Sequence, residues 1–258
     1  MVLTAASDTP VLLLRGLTRE QRHWGAFRPM LAAKLTNPLL YFDFAGAGEL
    51  YQQRSPSHIS GLRQSVRLQW QQATLNANNH GQVHLVALSL GGMLAADWAL
   101  AYPEEVASIT LINSSAKPLA PFYQRLRWQN YPALASLLWL SSARREQRIL
   151  QLTTARAFQD PVIVAHWQRW QQQRPVTMSN ALRQLLAASR FVLQQQPCCP
   201  ALVISSQTDK LVNPQCSVAL ASFLQARHQQ HSWAGHDIGL DDPAWLATQI
   251  AAFIQSLC

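Results

Sequence analysis

Val83-His84-Leu85-Val86-Ala87-Leu88-Ser89-Leu90-Gly91-Gly92-Met93 is the stretch that decides the fold. The residues before Ser89 are mostly apolar and read as a buried strand. Those after the two glycines, Met93-Leu94-Ala95-Ala96-Asp97-Trp98-Ala99-Leu100, are good helix formers. A serine held between a strand and a helix, with small residues two before and two after it, is the context of a nucleophile elbow. The tight turn lifts the hydroxyl off the sheet edge. Ala87 and Gly91 meet the requirement for small neighbours, although Gly is the usual residue at the first position. A helix starting at Leu90 would point free N–H groups at the space where an oxyanion forms, which makes Leu90 a candidate oxyanion donor. A plain strand–turn–helix with an exposed serine accounts for the same stretch, so the chain must also supply a base and an acid.

Working outward, strands and helices alternate over the first hundred residues. Val11–Leu14 and Leu39–Phe42 read as short buried strands, His23–Leu35 as a helix, and Ser60 as the cap of a helix reaching Asn76. Ser108–Ile112 is the next strand. This alternation implies βαβ units and a parallel sheet. From about Ala116 to Gln196 only helical patterns occur, at 134–138, 145–152, 162–170 and 182–191. Alternation then resumes with strands at 201–205 and 229–233, a helix between them, and a last helix carrying Leu246, Ile250, Phe253 and Leu257 on one stripe. The expected organisation is one core, residues 1–115 and 197–258, with residues 116–196 inserted as a helical cap. About six strands are expected.

Functional groups of an open parallel sheet sit past the carboxyl ends of its strands. Asp209 follows the strand at 201–205, and His236 follows the strand at 229–233, so both fall on the edge that carries Ser89. Ser, Asp, His is the chain order of an α/β-hydrolase triad. A neutral serine is a weak nucleophile. His236 would take its proton and return it to the leaving group, and Asp209 would fix the imidazole tautomer. Asp237 and Asp241 are rival acids. Asp237 adjoins His236 and points elsewhere, while Asp241-Asp242-Pro243 looks like the cap of the last helix.

With these residues in place, the chain resembles α/β-hydrolase-fold proteins of the small carboxylesterase type, close in layout to pimeloyl-acyl-carrier-protein methyl esterases. The matching pieces are Arg15-Gly16 with Trp24, Asp43 through Gly48, Ser89-Leu90-Gly91-Gly92, Asp209 with Leu211-Val212, and Gly235-His236-Asp237. The resemblance implies an α/β-hydrolase fold: a mostly parallel sheet flanked by helices, with a helical cap insertion over the site. It implies an acyl-enzyme mechanism on Ser89 without a cofactor. It also implies a second oxyanion donor, the backbone N–H of Leu17, just after the glycine. Arg15 departs from the family, which commonly has His at that point. A backbone donor survives that side-chain change.

The 258 residues are 48 % hydrophobic and 13 % charged, enough for one large α/β domain with a substantial core. The apolar runs are far too short for a membrane span. Met1-Val2-Leu3-Thr4 has no basic n-region or apolar h-region, so no secretory signal is expected. Cys198, Cys199, Cys216 and Cys258 fit neither a disulfide framework nor a metal-ligand spacing, which points to reduced thiols and a cytoplasmic setting. Asn113-Ser114-Ser115 matches a glycosylation acceptor that such a setting would leave unused.

The formal charge of +8 is concentrated. Eleven Lys/Arg between Lys117 and Arg190 face only Glu146 and Asp160. The arginines Arg125, Arg127, Arg144, Arg145, Arg148, Arg156, Arg169 and Arg174 form either a solvated face or a docking surface for an acidic acyl carrier protein; coenzyme A thioesters would fit as well. Nucleic acid fits the charge, but no motif supports it. The aromatics Phe122, Tyr123, Trp128, Tyr131, Trp139, Trp167 and Trp170 are expected mostly to pack these helices onto the sheet domain, with some lining an apolar tunnel above Ser89. Three functions fit these residues: hydrolysis of carboxylic esters or thioesters, elimination from a succinyl-type substrate by the same triad, and ligand sensing without catalysis.

Overall fold

The computed structural model describes residues 9–75, 81–137 and 139–257. The sequence readings that touch Met1–Thr4, Asn76, Leu138 and Cys258 lie outside the described residues.

Among the described residues, six strands form one parallel sheet: β1 (Val11–Leu14), β2 (Leu39–Tyr41), β3 (Val83–Leu88), β4 (Val106–Ile112), β5 (Ala201–Ser206) and β6 (Arg227–His231). Their spatial order is β2-β1-β3-β4-β5-β6, with every neighbouring pair parallel. The chain leaves β1 towards one edge, returns across it to β3, and then proceeds to the other edge. The order therefore reverses between β1 and β3, where a crevice opens past the strand ends.

Strand side chains alternate between two cores. Leu12, Leu14, Leu85, Ala87 and Val203 pack on one face against helices α2 (Ile59–Leu75) and α3 (Leu90–Ala101). Val11, Leu13, Val86, Leu202 and Ile204 pack on the other face with Trp24, Phe27 and Leu31, and with Leu246 and Ile250. Phe27 and Leu31 lie on α1 (Phe27–Ala32); Leu246 and Ile250 lie on the last helix, α11 (Pro243–Gln255). Two-sided burial explains why the strands read as continuous apolar runs rather than alternating ones. Helix α3 is buried on nearly every side, which fits its lack of a polar face.

Some boundaries moved. The helix expected over 23–35 is a 3₁₀ turn at Gln21–Trp24 followed by α1, because Gly25 breaks it at φ +50°. Ser60 lies inside α2 rather than capping it. The strand expected at 229–233 lies two residues earlier, where pairing with Leu202–Ser206 outweighs its polar sequence. Asp242 caps α11 by accepting the Trp245 N–H at 3.0 Å, but Asp241 is engaged elsewhere.

Between β4 and β5 the described residues form the helices α4 (Phe122–Arg125), α5 (Tyr131–Ser136), α6 (Ser142–Thr153), α7 (Pro161–Gln173) and α8 (Met178–Arg190) and no extended strand. The two ends of this excursion meet in a parallel bridge, Lys117 with Val192, where Leu193 N–H donates to Lys117 O at 2.7 Å. The aromatic residues here are mostly not core. Trp167 is buried, but Phe122, Tyr123, Trp128, Tyr131 and Trp139 are exposed, Trp139 by 80 %. Phe122 and Tyr123 lie on α4 and Tyr131 on α5, four and six residues long and too short to carry an apolar stripe onto a partner, while Trp128 sits in a 3₁₀ turn and Trp139 in a turn after α5. After β5 come α9 (Gln215–Leu224), β6 and the single turn α10 (Ile238–Asp241).

Candidate active site

Ser89 occupies the sharp corner between β3 and α3. Its backbone sits at φ +57°, ψ −115°, a conformation costly for any residue with a side chain. The corner is held from β4: Ser89 N–H donates to Ile112 O at 2.8 Å, and Ser114 Oγ donates to Ser89 O at 2.8 Å. Gly91 must be glycine for a reason the local sequence does not show. A Cβ there would lie 2.6 Å from Arg15 O and 2.8 Å from Leu14 O, so the end of β1, rather than Ala87, sets the limit. At Gly92 a Cβ would meet Ser114 Cβ and Oγ at 2.7 Å.

Asp209 and His236 meet at the same rim. His236 Nδ1 lies 2.7 Å from Asp209 Oδ2, with both side chains buried. An ionised carboxylate only accepts, so Nδ1 carries the proton and Nε2 keeps its lone pair. The other carboxylate oxygen, Asp209 Oδ1, accepts the N–H groups of Leu211 at 2.7 Å and Val212 at 3.0 Å. Burial pulls the imidazole pKa down, but the charge and hydrogen bond of Asp209, with Asp237 adding, carry it above the ordinary 6.5. The rival acids are occupied. Asp237 is paired with Arg15 on both oxygens, and the Arg15 guanidinium lies 4.6 Å over Trp24. Asp241 accepts four backbone N–H groups, from Gly235 and from Ala155, Arg156 and Ala157.

Ser89 and His236 both line a cavity of about 380 Å³ at the carboxyl end of the sheet. Among the described residues, no hydrogen bond joins the Ser89 hydroxyl to the imidazole. In ligand-free sites such bonds are commonly long and tighten with substrate. Gly16 adjoins the nucleophile: a Cβ on it would lie 3.2 Å from Ser89 Cβ and 3.8 Å from Oγ. Leu17 lines the same cavity, and Leu90 directly follows Ser89 at the start of α3. Among the described residues, neither Leu17 N–H nor Leu90 N–H has a partner within the chain. The rest of the wall is largely apolar and comes from the helices between β4 and β5, with Leu134, Leu137, Ile149, Leu152, Met178 and Leu182 among its residues. No cluster of three or more metal-ligating side chains occurs among the described residues, and no helix there is long and apolar enough to cross a membrane.

A model of the alpha/beta hydrolase fold family matches residues 10–243. The chain belongs to the α/β-hydrolase fold family. Within it, 257 aligned residues are 26 % identical to a protein of Pantoea ananatis named as carbamate hydrolase RutD, covering 92 % of this chain and 85 % of that one. A protein of the same name from Azorhizobium caulinodans is 27 % identical over 111 residues, only 43 % of this chain and 39 % of that one. Among solved structures, a hydrolase from Pseudomonas aeruginosa superposes with a TM-score of 0.76 at 21 % identity, covering 97 % of this chain and 91 % of that one. An esterase from Thermogutta terrifontis gives a TM-score of 0.75 at 18 % identity, with the same coverage of both chains. These structural likenesses speak to the fold.

Sequence reasoning about this α/β-hydrolase missed Asn113. Its side chain bridges two of the loops: Nδ2 donates to His236 O at 2.7 Å, and Oδ1 accepts Ser206 N–H at 2.9 Å. It sits at φ +46°, a region Asn tolerates better than most residues. Its place directly after a core strand was the available signal.

Proposed function

We propose that this α/β-hydrolase is a serine hydrolase that cleaves carboxylic esters or thioesters through an acyl-enzyme on Ser89. The observation that carries the proposal is Ser89, on a strained corner, sharing a cavity with an imidazole whose Nδ1 is held by Asp209. His236 Nε2 takes the hydroxyl proton as Ser89 Oγ bonds to the acyl carbon. Leu17 and Leu90 N–H hold the oxyanion. The carbon–oxygen or carbon–sulfur bond then breaks, and the imidazolium returns its proton to the leaving group. Water repeats the sequence in reverse and frees the acid. No cofactor is needed.

Residues 116–196 act as the cap in this reading, and the core comprises residues 1–115 and 197–258. The apolar side of the cavity favours a hydrocarbon acyl group, a small-molecule ester or thioester. The relative named for carbamates suggests a further substrate class, since a carbamate differs by one nitrogen on the acyl carbon and follows the same steps. Exposed Arg144, Arg148, Arg156 and Arg169 on or beside the cap helices suit an acidic acyl carrier as the source of substrate. A cytoplasmic setting accords with the cysteine pattern.

The test is a panel of p-nitrophenyl esters, acyl thioesters and carbamates, run with the parent protein and Ser89→Ala. The reading expects turnover by the parent and a fall of at least about 10³-fold in Ser89→Ala. Turnover that is unchanged in Ser89→Ala contradicts it. Turnover of a succinyl-type elimination substrate, with no acyl group trapped on Ser89, would favour the lyase. No labelling of Ser89 by a fluorophosphonate would favour a non-catalytic sensor.

A further inference from the structure

The loop that carries Leu17 is gripped by the cap. Thr18 N–H donates to Gln184 Oε1 at 2.8 Å, from α8. The next residue, Arg19, donates to Glu146 Oε2 of α6 at 2.5 Å and lies 4.6 Å over the ring of Trp167 on α7. Arg19 also reaches back to Thr18 Oγ1 at 3.3 Å. The core contributes a turn bond, Arg19 N–H to Gly16 O at 3.2 Å, and a contact of the Arg19 guanidinium with His23 Nε2 at 3.3 Å, both of them centred on Arg19 rather than on the Leu17–Thr18 peptide.

Two features make Gln184 stand out. Thr18 sits at φ +59°, which a β-branched residue adopts only when its surroundings dictate it. Gln184 is fully buried, yet its Nε2 has no hydrogen-bond partner among the described residues. A buried half-satisfied amide costs stability that an apolar side chain of the same size would not. Its one bond fixes the peptide plane immediately after Leu17.

We infer that Gln184 is a positioning residue for the oxyanion hole: the cap, through Gln184, holds the Gly16–Thr18 loop so that Leu17 N–H faces the reacting carbonyl. The cap is thus part of the catalytic machinery rather than only a wall of the acyl pocket. The inference rests on the serine-hydrolase reading above and adds a residue that neither the triad nor the resemblance assigns. An oxyanion donor matters chiefly in the transition state, so its misplacement lowers kcat and leaves KM nearly unchanged.

The experiment compares the parent with Gln184→Met, which keeps the volume and removes the acceptor, and with Gln184→Glu, which keeps an acceptor. The measurements are kcat and KM for a short-chain p-nitrophenyl ester, the inhibition constant of a boronic acid that forms a tetrahedral adduct on serine, and the melting temperature. Gln184→Met is expected to lose about 10- to 100-fold in kcat. Its KM should stay within about twofold, and boronate affinity should fall with kcat. Gln184→Glu should recover most of the loss. Parent-level kcat in folded Gln184→Met overturns the inference, as does a loss borne by KM with unchanged boronate affinity. If Gln184→Met does not fold, the glutamate variant decides: near-parent kcat supports the inference, and a loss beyond tenfold contradicts it. A parent whose ester hydrolysis does not depend on Ser89 refutes the reading of the site itself, a result distinct from any of these.

Discussion

Gly91 shows how far a single residue can be read. Its smallness was legible from the small-x-Ser-x-Gly pattern, but the cause was not, because Leu14 and Arg15 lie more than seventy residues away in the chain. Gly91→Ala should destabilise the fold by about 1–3 kcal/mol, since backbone carbonyls cannot step aside for a Cβ at 2.6 Å. Chemical denaturation measures this, and an unchanged unfolding midpoint would refute the steric account. His236 carries a second prediction at this scale. The imidazole must be neutral to act as base, and its pKa lies above the ordinary 6.5, so the ascending limb of kcat/KM should fall above pH 6.5. The sign for stability is opposite. The charged imidazole is favoured by folding, so its contribution is complete below the unfolded pKa and is lost as pH rises through the folded one. Activity should therefore rise where this part of the stability declines. Asp209→Asn removes the carboxylate that raises the pKa; it should move the limb to lower pH and reduce kcat by up to about 10⁴-fold. A limb that stays in place would exclude the pairing of Asp209 with His236 as its cause.

Strands were the most legible elements, because a sheet covered on both faces demands apolar runs and those runs stand out. β6 was the exception: Arg227-His228-Gln229-Gln230-His231 has no apolar residue, and only its pairing with β5 makes it a strand. The aromatics between Phe122 and Trp139 mislead in the opposite direction, since their apolar character suggests burial but they lie on turns and on helices too short to deliver it. The end of β4 is the element the sequence most undersold. Ile112 and Ser114 hold the Ser89 corner, while Asn113 ties the His236 loop to Ser206, three residues before Asp209. One short segment thereby sets the relative positions of all three candidate side chains. Asn113→Ala should cost about 1–3 kcal/mol by leaving Ser206 N–H unpaired. It should also lower kcat more than it raises KM. Asn113→Asp keeps the acceptor at Oδ1 and should recover stability more than kcat. Equal kcat in all three proteins would mean that β4 plays no part in registering the site.

For the whole molecule, the order Ser89, Asp209, His236 was legible because a parallel sheet places every strand's carboxyl end on one rim. The contacts that close the molecule were not. Arg15 meets Asp237 across 222 residues of chain, and Thr18 meets Gln184 across 166. No local pattern encodes such pairs. The charge of the segment between β4 and β5 also resolves only in three dimensions. Arg125 is buried, Arg174 is paired with Glu20 and Glu49, and Arg145 is bound to the carbonyls of Leu137 and Leu140. The remaining exposed arginines make the prediction at this scale. If they deliver a carrier-bound acyl group, its kcat/KM should exceed that of the free ester at low salt. That advantage should vanish near 1 M salt, where the screening length is about 3 Å. A carrier advantage independent of salt would remove charge as its origin. The central claim is that Ser89 becomes acylated, and intact-protein mass spectrometry of the parent quenched during turnover of a slow p-nitrophenyl ester tests it most directly. The account predicts a gain of one acyl group, mapped to the peptide containing Ser89 and absent from Ser89→Ala. Steady turnover with no acyl group on that peptide, while a fluorophosphonate also leaves it unlabelled, would contradict it.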